Sequence, residues 1–328
     1  MAERLRDLGE AELIRRLAAY APPGQFEDDT ALIESDGGKL LVNTDLLVEG
    51  VHFSDATTEA EDVGWRAAAV NLSDLAASGA DHVLGITVGL VAPADTPWRW
   101  VEGVYQGLQA ALHCHGGVLL GGDCTSGHQR MLAITALGRC SRLRLHRNQA
   151  RPGDWLVVSG PHGLSRLGLA LLQNSLDPAL EGIDPALCKQ AIRQHQRPRP
   201  RFDALHSLLG CKPDGLEWRA GGTDSSDGLL TAVSDLCRSS HCGALLDPKA
   251  LPLAQGWPQT EPWQSWCLNG GEDFELVLSL PPDWARDWLA RQPGSQRIGE
   301  ISDANGQICW SDGSGVVSAA AGYTHFSA

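Results

Sequence analysis

The stretch "GVLLGGDCTSG", residues 117–127, is an apolar run that ends in two glycines and one carboxylate, Asp123. A run of this kind, bounded by glycine and polar residues, predicts a β-strand over 117–123. The glycines would let the backbone approach a ligand where the strand ends. Taken alone the motif is weak, because Gly-Gly-Asp usually marks a turn or a helix cap. Its meaning therefore depends on the segments around it.

Short apolar runs on both sides of this stretch predict further strands. They are "KLLVNTD" (39–45), "HVLGITVGLV" (82–91), "MLAITALGRC" (131–140) and, in the second half, "FELVLSL" (274–280). Longer segments with helical spacing predict helices over 61–80, 98–116, near 163–173 and from about 227 to 240. Strands that alternate with helices predict a mixed α/β (α+β) fold.

The segment "RNQARPGDW" (147–155) interrupts this pattern with basic residues and a Pro-Gly pair. The apolar "WLVVSG" that follows predicts the first strand of a new unit. A chain of 328 residues is also long for one small core. We therefore expect two domains, 1–148 and 149–328.

The bulk composition limits the possible partners and the compartment. A formal charge of −14 argues against a nucleic-acid or membrane-surface partner, since both favour a basic protein face. Nine cysteines without a CxxC pair, and a start that is charged from its third residue, predict a cytoplasmic protein with mostly reduced thiols. The cluster "HCH" at 113–115, near Cys124, leaves a zinc site open as an alternative, although no second ligand pair accompanies it.

Acidic residues recur beside Gly, Ser or Thr at the ends of apolar runs. They lie in "FEDDTALI", "VNTDLLVEG", "NLSDLAASG", "GGDCTSG", "TDSSDGL" and "NGGEDFEL". If these segments meet in space, each close pair of carboxylates repels by ~4 kcal/mol at an effective dielectric near 20. The carboxylates are then either dispersed caps or ligands of divalent cations, and oxygen-only ligands favour Mg²⁺. Magnesium with open positions for phosphate oxygens points to a nucleoside triphosphate.

The familiar phosphate-binding motifs GxxxxGK[ST] and HRD/DFG are absent from the sequence. A phosphoryl-transfer enzyme of this kind would rely on metal ions for the charge neutralisation that a lysine provides elsewhere.

Eight motifs in order resemble the thiamine-monophosphate kinase family over nearly the whole chain. They are "DDTALI", "NTDLLVEGVHF", "AVNLSDLAASGA", "LLGGDCTSG", "RPGDWLVVSG", "SSDGL", "GGEDFEL" and "GYTHF". The resemblance implies the two-domain fold of the aminoimidazole ribonucleotide synthetase group. In that fold the N-terminal domain (1–148) binds metal and ATP and dimerises through its sheet. The C-terminal domain (149–328) closes the active-site cleft.

The resemblance also implies roles for individual residues. The implied magnesium ligands are Asp29, Asn43, Thr44, Asp45, Asp74, Asp123, Asp224 and Asp227. The implied ATP contacts are Gly122, Asp123, Arg147 and Ser226, and the implied substrate contacts are His52, Glu272 and Tyr323. Three positions depart from the family pattern: Glu27 replaces a glycine, Cys124 a threonine and Asn43 a frequent serine.

The implied reaction converts ATP and thiamine monophosphate into ADP and thiamine diphosphate in a soluble homodimer. The substrate's phosphate oxygen would be the nucleophile in a direct in-line transfer assisted by several Mg²⁺ ions. We therefore expect no side chain to act as a catalytic base. Two alternatives stay open from the sequence: another ATP-dependent enzyme of the same fold group, such as a synthetase, and a non-catalytic nucleotide- or metal-binding module.

Overall fold

The structure is a computed structural model that describes residues 5–8, 10–35, 38–258, 263–304 and 306–317. The chain begins with two short helices, α1 (Leu5–Leu8) and α2 (Glu10–Leu17), and a 3₁₀ turn at Ala18–Tyr20. Two sheets follow, one built from the first half of the chain and one from the second.

The first sheet has five strands in the order β1-β2-β5-β3-β4. The strands are β1 (Ala31–Ser35), β2 (Gly38–Val48), β3 (His82–Ala92), β4 (Val118–Ser126) and β5 (Met131–Cys140). Neighbouring strands are antiparallel except β3 and β4, which are parallel because helix α4 (Trp98–His115) crosses between them. Edge strand β4 is exposed along its whole length.

Helices α3 (Ala60–Ala77) and α4 pack against each other at two glycines. A Cβ on Gly64 would lie 1.9 Å from the carbonyl oxygen of Val104, and a Cβ on Gly107 would lie 1.9 Å from that of Glu61. Both distances are far below van der Waals contact, so the helices approach as closely as they do because these positions lack a side chain. Helix α3 also contacts β2 and β5.

The second sheet has six strands in the order β11-β8-β10-β6-β9-β7. The strands are β6 (Trp155–Val158), β7 (Gly221–Asp224), β8 (Gly243–Leu246), β9 (Leu276–Leu280), β10 (Gln296–Ser302) and β11 (Ile308–Trp310). The helices of this half are α5 (Leu164–Leu172), α6 (Pro185–Gln196), α7 (Phe202–Gly210), α8 (Leu229–Ser240), α9 (Trp263–Asn269) and α10 (Pro282–Arg291).

Helix α3 lies between the two sheets. It contacts β2 and β5 of the first sheet and β7, α6 and α7 of the second half. The indole of Trp65 donates a 2.8 Å hydrogen bond to the carbonyl of Pro198, and one buried apolar cluster continues from Leu41 to Leu278. The side chains of α3 therefore reach the groove where the two halves of the chain meet.

The mixed α/β class and the predicted strands of the first half are confirmed, with one shift in extent. The strand predicted to end at Asp123 continues through Ser126, so Asp123 lies within β4. Residues 67–77 are almost entirely buried, as their alanine content indicates for a helix packed close to its neighbours.

Candidate active site

Three aspartates from distant parts of the chain meet in the groove beside α3. Asp29 precedes β1, Asp74 is near the end of α3, and Asp224 ends β7. One carboxylate oxygen of each lies within 4.8 Å of the others. These are three of the predicted metal ligands, and the fold brings them together although up to 195 positions separate them (224 − 29).

Neighbouring polar groups hold the three carboxylates in place. Asn43 Nδ2 donates to Asp74 Oδ2 at 2.8 Å, and Ser73 Oγ donates to Asp224 Oδ2 at 2.5 Å. Thr223 Oγ1 donates to Asp29 Oδ2 at 3.0 Å. These donors are neutral, so they leave the negative charge of Asp74 and Asp224 largely uncompensated.

The electrostatics of this trio match its crowding. Burial, and then the nearby charges of Asp45 and Asp224, raises the pKa of Asp74 well above its ordinary value. Burial raises the pKa of Asp29 to about 6, against the opposing charge of Arg147 and with the added repulsion of Asp224. Burial also raises the pKa of Asp45, which hydrogen bonds with Asp74. Four carboxylates thus share one nearby guanidinium, a balance that favours binding of further cations.

Arg147 contacts this cluster directly. Its guanidinium pairs with Asp29 and donates from Nε to Thr223 Oγ1 at 3.1 Å. Asp235 lies 3.6 Å from its Nη1. The predicted ATP contact at this position is therefore a half-buried arginine at the edge of the acidic trio, where an incoming phosphate would compete with Asp29 for the guanidinium.

The donor set fits a hard divalent cation. It consists of oxygen atoms, and the side chain of Asn43 adds a buried amide oxygen, Oδ1, that has no hydrogen-bond partner among the described residues. A buried acceptor without a partner costs about 1–3 kcal/mol, which a coordinated cation would offset. The alternative zinc site at "HCH" receives no support, because those side chains do not form a group of possible metal ligands within the described ranges.

Two predicted metal ligands lie apart from the trio in this chain. The side chain of Thr44 is on the exposed face of the sheet, 2.8 Å from Thr135 Oγ1, because alternate residues of β2 point to opposite faces and Asn43 points inward. Asp123 is exposed on β4. Its neighbour Gly122 aligns with Asp45 through Val88 and Ile134, three strand spacings away, so Asp123 lies about 14 Å from Asp45 along the sheet.

A cavity of about 460 Å³ begins where the acidic trio ends. Ser226 and Asp227 follow Asp224 and line this cavity, and the backbone N–H of Ser226 donates to Asp224 Oδ1 at 3.2 Å. His52 and Glu272 line it from two other loops. The structure thus places the predicted Ser226, Asp227, His52 and Glu272 around one cavity that adjoins the three aspartates.

Local geometry orients His52 and Glu272. His52 Nδ1 accepts the backbone N–H of Val48 at 3.0 Å, so the neutral ring carries its proton on Nε2. Glu272 has a left-handed backbone with φ of 65°, and its N–H donates to the carbonyl of Ser226 at 2.7 Å. The third predicted substrate contact, Tyr323, lies outside the described residues.

Sequence reasoning missed two buried groups at this cavity: Arg66, which lies behind its wall, and His195, which lines it. Arg66 donates to Glu272, and His195 Nδ1 lies 3.5 Å from Glu272 Oε2. A signal was present for Arg66, since a single arginine within the alanine-rich "GWRAAAV" must bury its charge and therefore needs partners. For His195 the sequence carried no comparable signal. Of the departures from the family pattern, Glu27 and Cys124 are both exposed.

The chain is similar to known proteins in both sequence and fold. Residues 27–140 match the family described as "AIR synthase related protein, N-terminal domain", and residues 151–310 match "AIR synthase related protein, C-terminal domain". The chain is 55% identical to a thiamine-monophosphate kinase of Prochlorococcus marinus, over 95% of this chain and 93% of that protein. It is 43% identical to the protein of the same name in Synechococcus elongatus, over 99% of both.

A solved structure described as "AaThiL complexed with AMPPCP and TMP" superimposes with a TM-score of 0.85. It is 29% identical in sequence, and the alignment covers 99% of each chain.

Proposed function

Because the chain belongs to the thiamine-monophosphate kinase family, we propose that it transfers the γ-phosphoryl group of ATP to thiamine monophosphate, giving ADP and thiamine diphosphate. The observation that carries this proposal is the acidic trio beside a cavity lined by a carboxylate. The AaThiL structure supports the pair of substrates, since it holds AMPPCP and TMP on the same fold.

Two anionic phosphates must approach each other in this reaction, and the acidic trio would bind the cations that screen their repulsion. Asp29, Asp74 and Asp224 would hold Mg²⁺, with Asp45 and the amide oxygen of Asn43 as further ligands. Asp227 would add a further magnesium ligand from the cavity side. Bound magnesium would screen the repulsion between the phosphates and stabilise the charge that develops during in-line transfer.

The protein's own groups would position the reactants. The acceptor is a phosphate oxygen of the substrate, whose second pKa is about 6, so it is largely ionised near neutral pH. A side chain that removes a proton is therefore unnecessary, and alignment provides much of the rate enhancement. Arg147, at the edge of the trio, would bind a phosphate of ATP, and Ser226 would contact ATP from the cavity side.

The cavity would bind the thiamine part of the acceptor. Glu272 presents a carboxylate that suits the cationic thiazolium or the amino group of the pyrimidine, and the Nε2–H of His52 can donate to an acceptor atom. The volume of about 460 Å³ suits a ligand of this size. Tyr323 remains a predicted substrate contact.

We propose that Asp123 and Gly122 serve the active site of a second copy of the chain. The exposed edge strand β4 carries Val118, Leu119 and Leu120, whose exposed fractions are 58%, 39% and 52%. A bare apolar edge is a template for pairing with another strand. Pairing through this sheet would make a homodimer in which Asp123 lies at the interface between the two copies.

The remaining proposals concern the organisation and location of the chain. We propose that 1–148 is the metal- and ATP-binding and dimerisation domain, and that 149–328 closes the cleft. None of the described helices is both long and apolar enough to cross a bilayer. A cytoplasmic location remains a proposal that rests on the reduced thiols expected from the cysteine pattern.

Chromatography of the reaction products tests the proposed activity. The purified protein is incubated with ATP, Mg²⁺ and thiamine monophosphate, and we expect thiamine diphosphate and ADP in equal amounts. Parallel reactions with EDTA, or with thiamine in place of its monophosphate, should give no diphosphate. A lack of product at high enzyme concentration would rule the activity out.

A further inference from the structure

Arg66 is a buried arginine in the middle of α3. Its side chain is 2% exposed, and alanines occupy the next three positions of the helix. A guanidinium in such surroundings loses its hydration, and the fold compensates this only if the group is well paired.

The guanidinium of Arg66 joins two walls of the cavity. Nη1 donates to the carbonyl oxygen of His52 at 2.9 Å, in the loop that follows β2. Nη2 donates to Glu272 Oε1 at 2.5 Å, in the loop that follows α9. These partners are 220 positions apart in sequence (272 − 52) and belong to the two halves of the chain. One planar group therefore fixes the distance between the two predicted substrate contacts.

Arg66 is the charged partner that holds the Glu272 carboxylate in place, because the other nearby basic group, His195, is neutral. His195 also lies close, with Nδ1 3.5 Å from Glu272 Oε2, but burial and then the charge of Arg66 lower the pKa of His195 to about 4. The imidazole is thus neutral near pH 7. The left-handed backbone of Glu272 is a conformation that side-chain-bearing residues rarely adopt, so contacts outside the loop must hold it.

We propose that Arg66 is a positioning residue for the cationic substrate: through Glu272 and the main chain of His52 it sets the width of the thiamine-binding cavity. This inference rests on the proposed function. Arg66 itself is buried behind the cavity and acts through residues that face the ligand. A lysine cannot replace it fully, because one ammonium lacks the planar fork that reaches two acceptors at a fixed angle.

The experiment measures KM and kcat for Arg66→Met, Arg66→Lys, Glu272→Gln and the double variant Arg66→Met/Glu272→Gln. We expect Arg66→Met to raise KM for thiamine monophosphate at least tenfold, with KM for ATP changed less than twofold. Arg66→Lys should fall between wild type and Arg66→Met. The double variant should be no more than about threefold worse than Glu272→Gln alone, because residues that act through one another are not additive.

Arg219→Met is the matched control. Arg219 is also buried and pairs with a carboxylate, at 2.6 and 2.9 Å from Asp154, but it does not line the cavity. Its removal should lower the melting temperature and leave both KM values unchanged. If Arg66→Met behaves in the same way, Arg66 is merely structural and the proposal is overturned. If Arg66→Met does not fold, an unchanged KM in Arg66→Lys overturns it equally.

Direct titration with thiamine monophosphate separates this inference from the proposed function. A wild-type protein that binds the compound without phosphorylating it would refute the kinase activity alone, and the ratio of dissociation constants between wild type and Arg66→Met would then decide the role of Arg66. A wild-type protein that neither binds nor phosphorylates the compound would overturn both.

Discussion

Asp74 has the most crowded carboxylate of the acidic trio. Burial raises its pKa, and three further aspartates, Asp45, Asp224 and Asp29, add to that effect. Its nearest support is the amide of Asn43, a neutral group. In the absence of metal, the ionised carboxylate at this position opposes folding, since the unfolded chain would hydrate it fully.

Asp74→Asn should therefore separate stability from activity. We expect the metal-free variant to be more stable than wild type by about 1–2 kcal/mol, because one like charge is removed from a buried cluster. The gain in stability that Mg²⁺ confers should shrink, and turnover should fall by at least a hundredfold. Urea unfolding with and without Mg²⁺, together with the product assay, measures these effects. The exposed Asp95→Asn is the control, and a metal-free Asp74→Asn protein that is less stable than wild type would contradict the expectation.

His195 makes the stability of the protein depend on pH. Burial and the charge of Arg66 lower its pKa to about 4, whereas an unfolded histidine titrates near 6.5. Above pH 6.5 the residue is neutral in both states and its contribution to stability is fully present. As the pH falls from 6.5 to 4, the unfolded chain binds the proton first, so that contribution is lost.

We expect His195→Asn to reduce the loss of stability on acidification. The asparagine amide can retain the hydrogen bond of Nδ1 with Ser165 Oγ, 3.0 Å apart in the wild type, without titrating. Between pH 7 and 4.5 the free energy of unfolding of the wild type should fall by about 2–3 kcal/mol more than that of the variant. Urea denaturation of both proteins at the two pH values gives the difference, and equal losses in both would refute it.

At the level of single residues, the sequence singles out the carboxylates because those at strand and helix ends share a simple format, and the family resemblance assigns them to a metal site. The resemblance assigns Thr44 to the same site, although the alternation of side chains along β2 places Thr44 and Asn43 on opposite faces. Arg66 and His195 could not be assigned to the cavity beforehand. Arg66 bridges the two halves of the chain, and His195 contacts Ser165 and Glu272, which are distant from it in sequence, so local residue spacing carries no information about these contacts.

At the level of elements, the glycine contact between α3 and α4 determines where the site side chains lie. Helix α3 carries Arg66, Ser73 and Asp74, and Gly64 allows it to approach α4 closely. A methyl group at Gly64 would force the helices apart, which changes the position of α3 relative to β7.

Gly64→Ala should thus weaken both the fold and the site. We expect a loss of about 1–3 kcal/mol in the free energy of unfolding, typical of overpacking, although alanine is the better helix former. The concentration of Mg²⁺ needed for half-maximal activity should rise severalfold. Gly210→Ala is a matched control in α7, where a Cβ meets no atom within 4 Å, and it should be neutral or slightly stabilising. An equal response of the two variants would refute the role of the close contact.

Most predicted elements of the first half lie within a few residues of the observed ones, since their apolar runs are long and bounded by turn residues. The predicted helices 61–80 and 98–116 correspond to Ala60–Ala77 and Trp98–His115. The sequence predicts fewer of the elements in the second half. Its strands β8 and β11 have four and three residues, too few to show a period; β8 pairs with β10, and β11 pairs with β8.

At the scale of the whole molecule, the position of Asp123 makes a test in trans possible. We expect Asp123→Asn and Asp74→Asn each to inactivate the enzyme when purified alone. If the chain forms the proposed homodimer, half of the dimers will contain one chain of each kind after the two variants are unfolded together and refolded as a mixture. One of the two sites in such a dimer is intact if Asp123 serves the partner, so about a quarter of wild-type activity should return.

Absence of recovery in the mixture would place Asp123 in its own chain's site. Leu120→Glu, introduced into both chains, should abolish the recovery by charging the exposed β4 edge. Leu180→Glu is the control, because Leu180 is 85% exposed at a distant position of the second half. This variant should leave both the recovery of activity and the mass of the assembled protein unchanged.

The trio formed by Asp29, Asp74 and Asp224 should also affect the rate at which the protein unfolds. We expect a contact that closes a loop of 195 residues (224 − 29) to form late in folding, after both sheets have formed. A cation bound there would then stabilise only the native structure, so it would slow unfolding and leave the folding rate nearly unchanged. Metal binding would therefore lengthen the lifetime of the native enzyme in the cell.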